Sequence, residues 1–196
     1  MNIKAAQRGQ DDFFKHRVDE ERSFVLSKLQ QLESALTGLQ YEGKVFSSNH
    51  IKTIGEIVRF LRQKYQEHTR LDENVIFPFL TKHIPKLSPI LQFLKMESQD
   101  FQSLFETFDK ILLELKEKNR ILLRNNIIEQ LRSKGVYLIC LVRSHIQMEE
   151  ESVYIPIFKE LHQDERCSLQ KEIEFFLLND GKKIKNKILS FVSLNI

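Results

Sequence analysis

An all-α fold, an up-down bundle of four long helices followed by further C-terminal helix, is what this sequence predicts. Apolar residues recur at three- and four-residue steps through most of the chain, which is the amphipathic-helix period. Glycine and proline are few, 6 and 4 in 196 residues, and they fall in clusters that leave four long periodic stretches joined by short connections. Long helices with short connections fold most readily as antiparallel neighbours.

The first helix is expected over about residues 11 to 40, with Val25, Leu29, Leu32, Leu36 and Leu39 on one stripe. It should end in "TGLQYEG", where Gly38 and Gly43 suit a helix end and a turn. A second opens at "SSNH", whose Ser and Asn side chains can cap, and runs through Ile54, Ile57, Leu61, Tyr65, His68, Asp72 and Val75 to a stop at Pro78. After "TKHIPKLSP" the third carries Leu91, Leu94, Ser98, Phe101, Phe105, Phe108, Leu112 and Leu115, the seam of a bundle. The fourth, about 122 to 155, places Leu131, Leu138, Val142, His145, Glu149 and Ser152 on its stripe and ends before Pro156. Beyond lie "SLQKEIEFFLLND" and a basic amphipathic tail, "GKKIKNKILSFVSLNI", expected to pack outside the bundle rather than on an anionic membrane.

Composition narrows the function classes. A chain with 41% hydrophobic residues can bury one sizeable core. Its 30 basic and 27 acidic residues nearly balance, a poor match to a polyanion-binding surface, so no nucleic-acid partner is expected. Cys140 and Cys167 have neither C-x-x-C nor secreted-disulfide spacing, and "MNIKAAQRGQDDFF" has no apolar signal core, which fits a reducing, cytoplasmic setting. No apolar run approaches the roughly 18 residues that would cross a bilayer, so no transmembrane segment is expected.

Two of the four stripes carry polar, ligand-type residues. Residues four apart on a helix lie about 40° apart around its axis, so His68 with Asp72, and His145 with Glu149, each point the same way, inward. One such pair is more often an ion pair than half of a metal site; two, on the second and fourth helices and each followed by an apolar-Pro ending, suggest more. A buried carboxylate without compensation costs several kcal/mol or becomes neutral. A metal cation compensates well, because imidazole and carboxylate together suit iron, manganese and zinc. Pro156 falls one residue farther from His145 than Pro78 does from His68, which a π-bulge would accommodate and which leaves Glu149 and Glu150 as alternative ligands. On the second helix Asp72 is preferred over Glu73, about 140° away from His68.

"HTRLDENVIFP", His68 to Pro78, and "HIQMEEESVYIP", His145 to Pro156, resemble the two halves of the hemerythrin-like, or HHE cation-binding, domain. The resemblance spans about residues 11 to 162. It implies a four-helix bundle over 1–162, with 163–196 as a C-terminal helical extension packed on it. It also implies non-haem iron as cofactor, a mono- or di-iron centre. Aligned on the family spacing, "ERSFVLSKL" and "ESQDFQSLF" put Arg22 and Ser98 where that family supplies histidines on its first and third helices. Arginine offers no lone pair to a metal, and neutral serine is a weak ligand. His16, about 120° off the stripe, and the carboxylates of Glu20, Glu21, Glu97 and Asp100 are the nearby substitutes.

The candidate metal ligands are therefore His68, Asp72, His145, Glu149, Glu150, His16 and Glu97. The expected function is that of a non-haem iron protein that binds or senses oxygen, nitric oxide or iron. The alternative is a metal-poor bundle of the same ancestry serving as a regulatory or partner-binding module, which would suit a homodimer or a protein partner. No Ser-His-Asp or Cys-His arrangement and no phosphate-cradling glycine loop is legible, so a binding protein is preferred to an enzyme. The E-x-x-H pairs of oxidase-type di-iron bundles are absent too. Among the other histidines, His50 lies about 27 Å along its helix from His68, while His83 and His162 fall at breaks where solvent is expected; Cys140 is expected to be a small core residue.

Overall fold

The computed structural model describes the backbone of residues 3–41, 43–117 and 121–193 and the side chains of 19–39, 48–115 and 125–179. Among the described residues every regular element is helical, so the all-α expectation holds. The order is α1 (Ile3–Tyr41), α2 (Gly43–Leu71), a π-helical segment (Asp72–Ile76), α3 (Phe77–His83), a 3-10 turn (Pro85–Leu87) and α4 (Ser88–Glu117). Then follow α5 (Ile121–Glu149), a second π-helical segment (Glu150–Tyr154), α6 (Ile155–Glu160) and α7 (Gln163–Ser193). None of the described helices is long and apolar enough to cross a membrane.

The two prolines do not stop their helices, contrary to the sequence expectation. Pro78 and Pro156 each stand at the second residue of a helix that continues beyond them. Proline lacks an N–H and its ring crowds the carbonyl four residues back, so an α-helix tolerates it poorly unless the preceding turn is opened. Here that turn is π-helical: Phe77 N–H donates to Asp72 O and Ile155 N–H donates to Glu150 O, five residues back in each case. A π turn on the fourth long helix was expected from the extra residue, but an equal one precedes Pro78. Both are five residues long and end two residues before their proline, so the extra residue lies in the α-helical run between His145 and Glu150.

The chain divides into two compact units, residues 1–63 with 101–146, and residues 64–100 with 147–196. In the first, parts of α1, α2, α4 and α5 form an antiparallel ring. Phe24 of α1 meets Phe60 of α2 edge to face at 5.3 Å, whereas Gly38, later on α1, faces His50, near the start of α2. On α2, Arg62 donates to Phe105 O at 2.7 Å and pairs with Asp109 at 2.5 Å, both on α4. Arg143 of α5 returns to Glu33 of α1 at 2.9 Å. The stripe read from sequence is the core: Leu29, Leu32, Ile54, Phe101, Phe108, Leu131 and Leu138 are all fully buried. Each such side chain contributes about 1.5–3 kcal/mol by leaving water.

Gly38 is not a helix end. It lies within α1, where an added Cβ would sit 2.5 Å from His50 Cε1, so the absence of a side chain lets the imidazole pack against the helix backbone. Gly135 of α5 is likewise buried, against Leu36. Cys140 is exposed rather than part of the core. It sits two residues from both Leu138 and Val142, about 200° around the helix from each, and therefore faces away from the stripe they define.

In the second unit α7 packs against the π segment Asp72–Ile76, burying Leu169 and Ile173. Its first turn is held by Glu165: Oε2 accepts the His162 backbone N–H at 2.7 Å, and Oε1 lies 2.8 Å from His83 Nδ1. The first of these bonds is half of a capping box, with the acid three residues into the helix satisfying an otherwise unpaired donor. His83 also stacks on Phe79 at 4.2 Å. It is therefore a half-buried link between α3 and α7, not the solvated residue the sequence suggested, while His162 is exposed as expected.

Candidate metal centre

The last turn of α2, the first residue of its π segment and the last residue of α5 converge on one point. His68 Nε2 lies 2.9 and 3.0 Å from the two carboxylate oxygens of Glu149 and 3.3 Å from Asp72 Oδ2. One ligand atom from each of the three residues falls within 4.8 Å of the others. Asp72 and Glu149 are 4% and 5% exposed, and the His68 side chain 25%. Helix period alone brings Asp72 to the face of His68, since the two are four residues apart. Glu149 comes from a segment 81 residues away and joins through tertiary packing.

The cluster gathers two carboxylates around one imidazole nitrogen. An imidazole nitrogen carries at most one hydrogen, and three carboxylate oxygens crowd around this one. When protonated, His68 supplies one positive charge beside the two buried carboxylates. A bound cation would attract both carboxylates and replace the crowded hydrogen bond by ligand bonds. One imidazole nitrogen with carboxylate oxygens is a donor set that first-row metal ions accept, so the residues fit a metal.

Tyr65, one turn before His68 on α2, adds a phenol to the same unit. Burial raises its pKa well above the usual phenol range. Hydrogen bonding with Ser98 and Thr69 opposes that shift, and the Glu149 and Glu97 carboxylates reinforce it. Tyr65 is therefore a neutral phenol at physiological pH. Ser98, which stands where a histidine was due, donates its hydroxyl to Leu94 O at 3.1 Å, the ordinary backbone bond of a helical serine. Tyr65 lies on the inward stripe of the second helix three residues before His68, and that spacing is the signal the sequence offers for it.

The other candidates are distributed as follows. Glu97 of α4 is buried in the same unit as Tyr65. Glu150, the first residue of the second π segment, is half-buried. His145 is buried and its ring meets Phe101 edge to face at 5.4 Å. The His16 side chain lies outside the described residues. Glu20, Glu21 and Asp100 are exposed, and Arg22, 23% exposed, lies 3.9 Å from Asp19 on its own helix.

A half-buried imidazole and two buried carboxylates, carried on long helices with no strand among the described residues, point to a class: a helical protein suited to hold a cation. Comparison with known families agrees, since the family model for the hemerythrin HHE cation binding domain matches residues 14–158. The chain belongs to that family. Its bundle carries an extra C-terminal helix, α7, that begins beyond the matched residues. No curated protein and no solved structure gives a significant match.

Proposed function

We propose that this chain is a non-haem iron protein whose cation is held by His68, Asp72 and Glu149, and that it binds or senses oxygen, nitric oxide or iron. The convergence of two buried carboxylates on a single imidazole nitrogen carries this reading. The donor set supports iron; bound there, it would supply a redox-active centre for a small ligand. Tyr65, whose phenol feels both the Glu149 and Glu97 carboxylates, lies in the same unit. His145, buried four residues before Glu149, is the next candidate ligand by its spacing, followed by Glu150 and Glu97. Two free cysteines, one exposed, suit a reducing cytoplasmic setting.

A second reading draws on Ser98 and Arg22. With the Ser98 hydroxyl bonded to Leu94 O and Arg22 beside Asp19, the first and third helices offer no imidazole at those positions. A regulatory or partner-binding bundle without metal would look the same there. Metal analysis of protein expressed with iron separates the two, with visible spectra recorded in the presence and absence of oxygen. The iron reading expects bound iron, and expects His68→Ala and His145→Ala each to lower it. A folded protein that stays metal-free when iron is added, with or without air, refutes it.

A further inference from the structure

We infer that α7 is a clamp on the π segment Asp72–Ile76, and that Glu165 is the positioning residue that fastens it. Two stretches of chain run side by side here. One passes from His68 through Asp72, the π segment and α3 to His83 and then Lys86 in the 3-10 turn. The other passes from Glu149 through the second π segment and α6 to Glu160 and then Glu165 in α7. They meet first where His68 Nε2 lies 2.9 Å from Glu149 Oε1. They meet again beyond both π segments, where His83 Nδ1 lies 2.8 Å from Glu165 Oε1 and Lys86 Nζ lies 2.6 Å from Glu160 Oε2. An ionised carboxylate only accepts, so His83 Nδ1 carries the hydrogen of its bond.

After α6 the backbone is extended at Leu161, and α7 then packs on the π segment that Asp72 opens, burying Leu169 and Ile173. Glu165 serves two parts of this fastening at once. Its Oε2 holds the first turn of α7 through His162 N–H at 2.7 Å, and its Oε1 holds His83, which stacks on the buried Phe79. The Lys86 side chain is 68% exposed, so its pair with Glu160 is the weaker fastener. Residues that touch no ligand can still set the direction of one that does, by holding the element it stands on. α7 begins beyond the matched residues 14–158, so the clamp lies outside the matched domain. Its effect on ion binding rests on the cation reading above; the clamp itself does not.

The test is amide hydrogen exchange in the full-length, metal-free protein, followed at Phe77, whose N–H closes the π turn on Asp72 O. A Mn(II) titration is run on the same samples, and circular dichroism checks that each variant is folded. Glu165→Ala should speed exchange at Phe77 at least threefold and weaken Mn(II) binding by a similar factor. Glu165→Gln, which keeps an oxygen for His162 N–H and an amide for His83, should leave both near wild type at neutral pH. Lys86→Glu should give a smaller change of the same kind, reversed by adding Glu160→Lys. Faster exchange in the first turn of α7 with Phe77 unchanged in Glu165→Ala would overturn the clamp. Faster exchange at Phe77 with undiminished Mn(II) binding would support the clamp and overturn its role in positioning Asp72. A folded wild-type protein that takes up neither manganese nor iron would overturn the cation reading, and exchange at Phe77 would still decide the clamp.

Discussion

Asp72→Asn should make the metal-free protein more stable while abolishing its cation. The Asp72 carboxylate, 4% exposed, lies 3.3 Å from His68 Nε2 and has a Glu149 carboxylate oxygen within 4.8 Å. At an effective dielectric constant of about 20, attraction to a protonated imidazole at that distance is about 5 kcal/mol, and repulsion from Glu149 is about 3.5 kcal/mol. The difference between these two terms, about 1.5 kcal/mol, is small beside a desolvation penalty of several kcal/mol for a buried carboxylate. With His68 neutral the attraction vanishes and the imbalance grows. Asparagine keeps the shape and drops the charge, and His68 keeps Glu149 as a partner, so no lone buried charge is created. The expected gain is about 1–3 kcal/mol, or about 2–12 °C in Tm for a chain of this size. Urea and thermal unfolding in excess chelator measure it, and a metal titration on the same samples measures the loss of binding. A metal-free variant less stable than wild type would mean that Asp72 is an ordinary structural ion pair and not a ligand held ready for a cation.

Two further predictions test the frame around the site. Phe101→Ala, removing a fully buried ring that packs on Phe105 and His145, should cost about 3–5 kcal/mol in urea unfolding. Glu165, whose pKa is lowered from about 4.5 first by the His162 backbone N–H and then by His83, contributes stability that is present above that value. The contribution is lost as pH falls through the lower folded-state pKa. Glu165→Gln should therefore remove the acid-induced rise in hydrogen exchange at the first turn of α7, a rise that wild type shows.

The stripes and the shared face of His68 and Asp72 were legible because both are local. A 3.6-residue period places Leu29, Leu32, Leu61, Phe101 and Leu138 in the core, and the same period makes His68 and Asp72 share a face. The approach of Glu149 to His68 was not legible, because 81 residues intervene and only packing sets their register. The same holds for Arg62 with the carbonyl of Phe105, 43 residues on, and for His83 with Glu165, 82 residues on. Reading Pro78 and Pro156 as stops failed because a proline rule based on the α-helix omits the alternative of widening the turn before it. Gly38 failed similarly: its reason is an imidazole from another helix, which no local rule contains.

The widened turns connect the proline pattern to the site, and Pro78 tests that connection. Asp72 is the first residue of one π segment and Glu149 immediately precedes the other, so both acids of the cluster stand where the helix leaves the α register. Pro78→Ala restores an N–H that can donate to Asn74 O and removes the ring that crowds it, so α pairing becomes competitive across 72–78. A register change of one residue turns the parts before and after it by about 100° relative to each other. Asp72 and His68 would then keep their face only if Phe77 and Phe79, both buried, surrendered theirs. The packed aromatics hold the downstream part in place, so the expected effect falls on the ligands: at least tenfold weaker Mn(II) binding with helicity retained. If Pro78→Ala binds the ion as tightly as wild type, the proline is incidental to the site, and the π turn must be set by the packing of α3 and α7 around it.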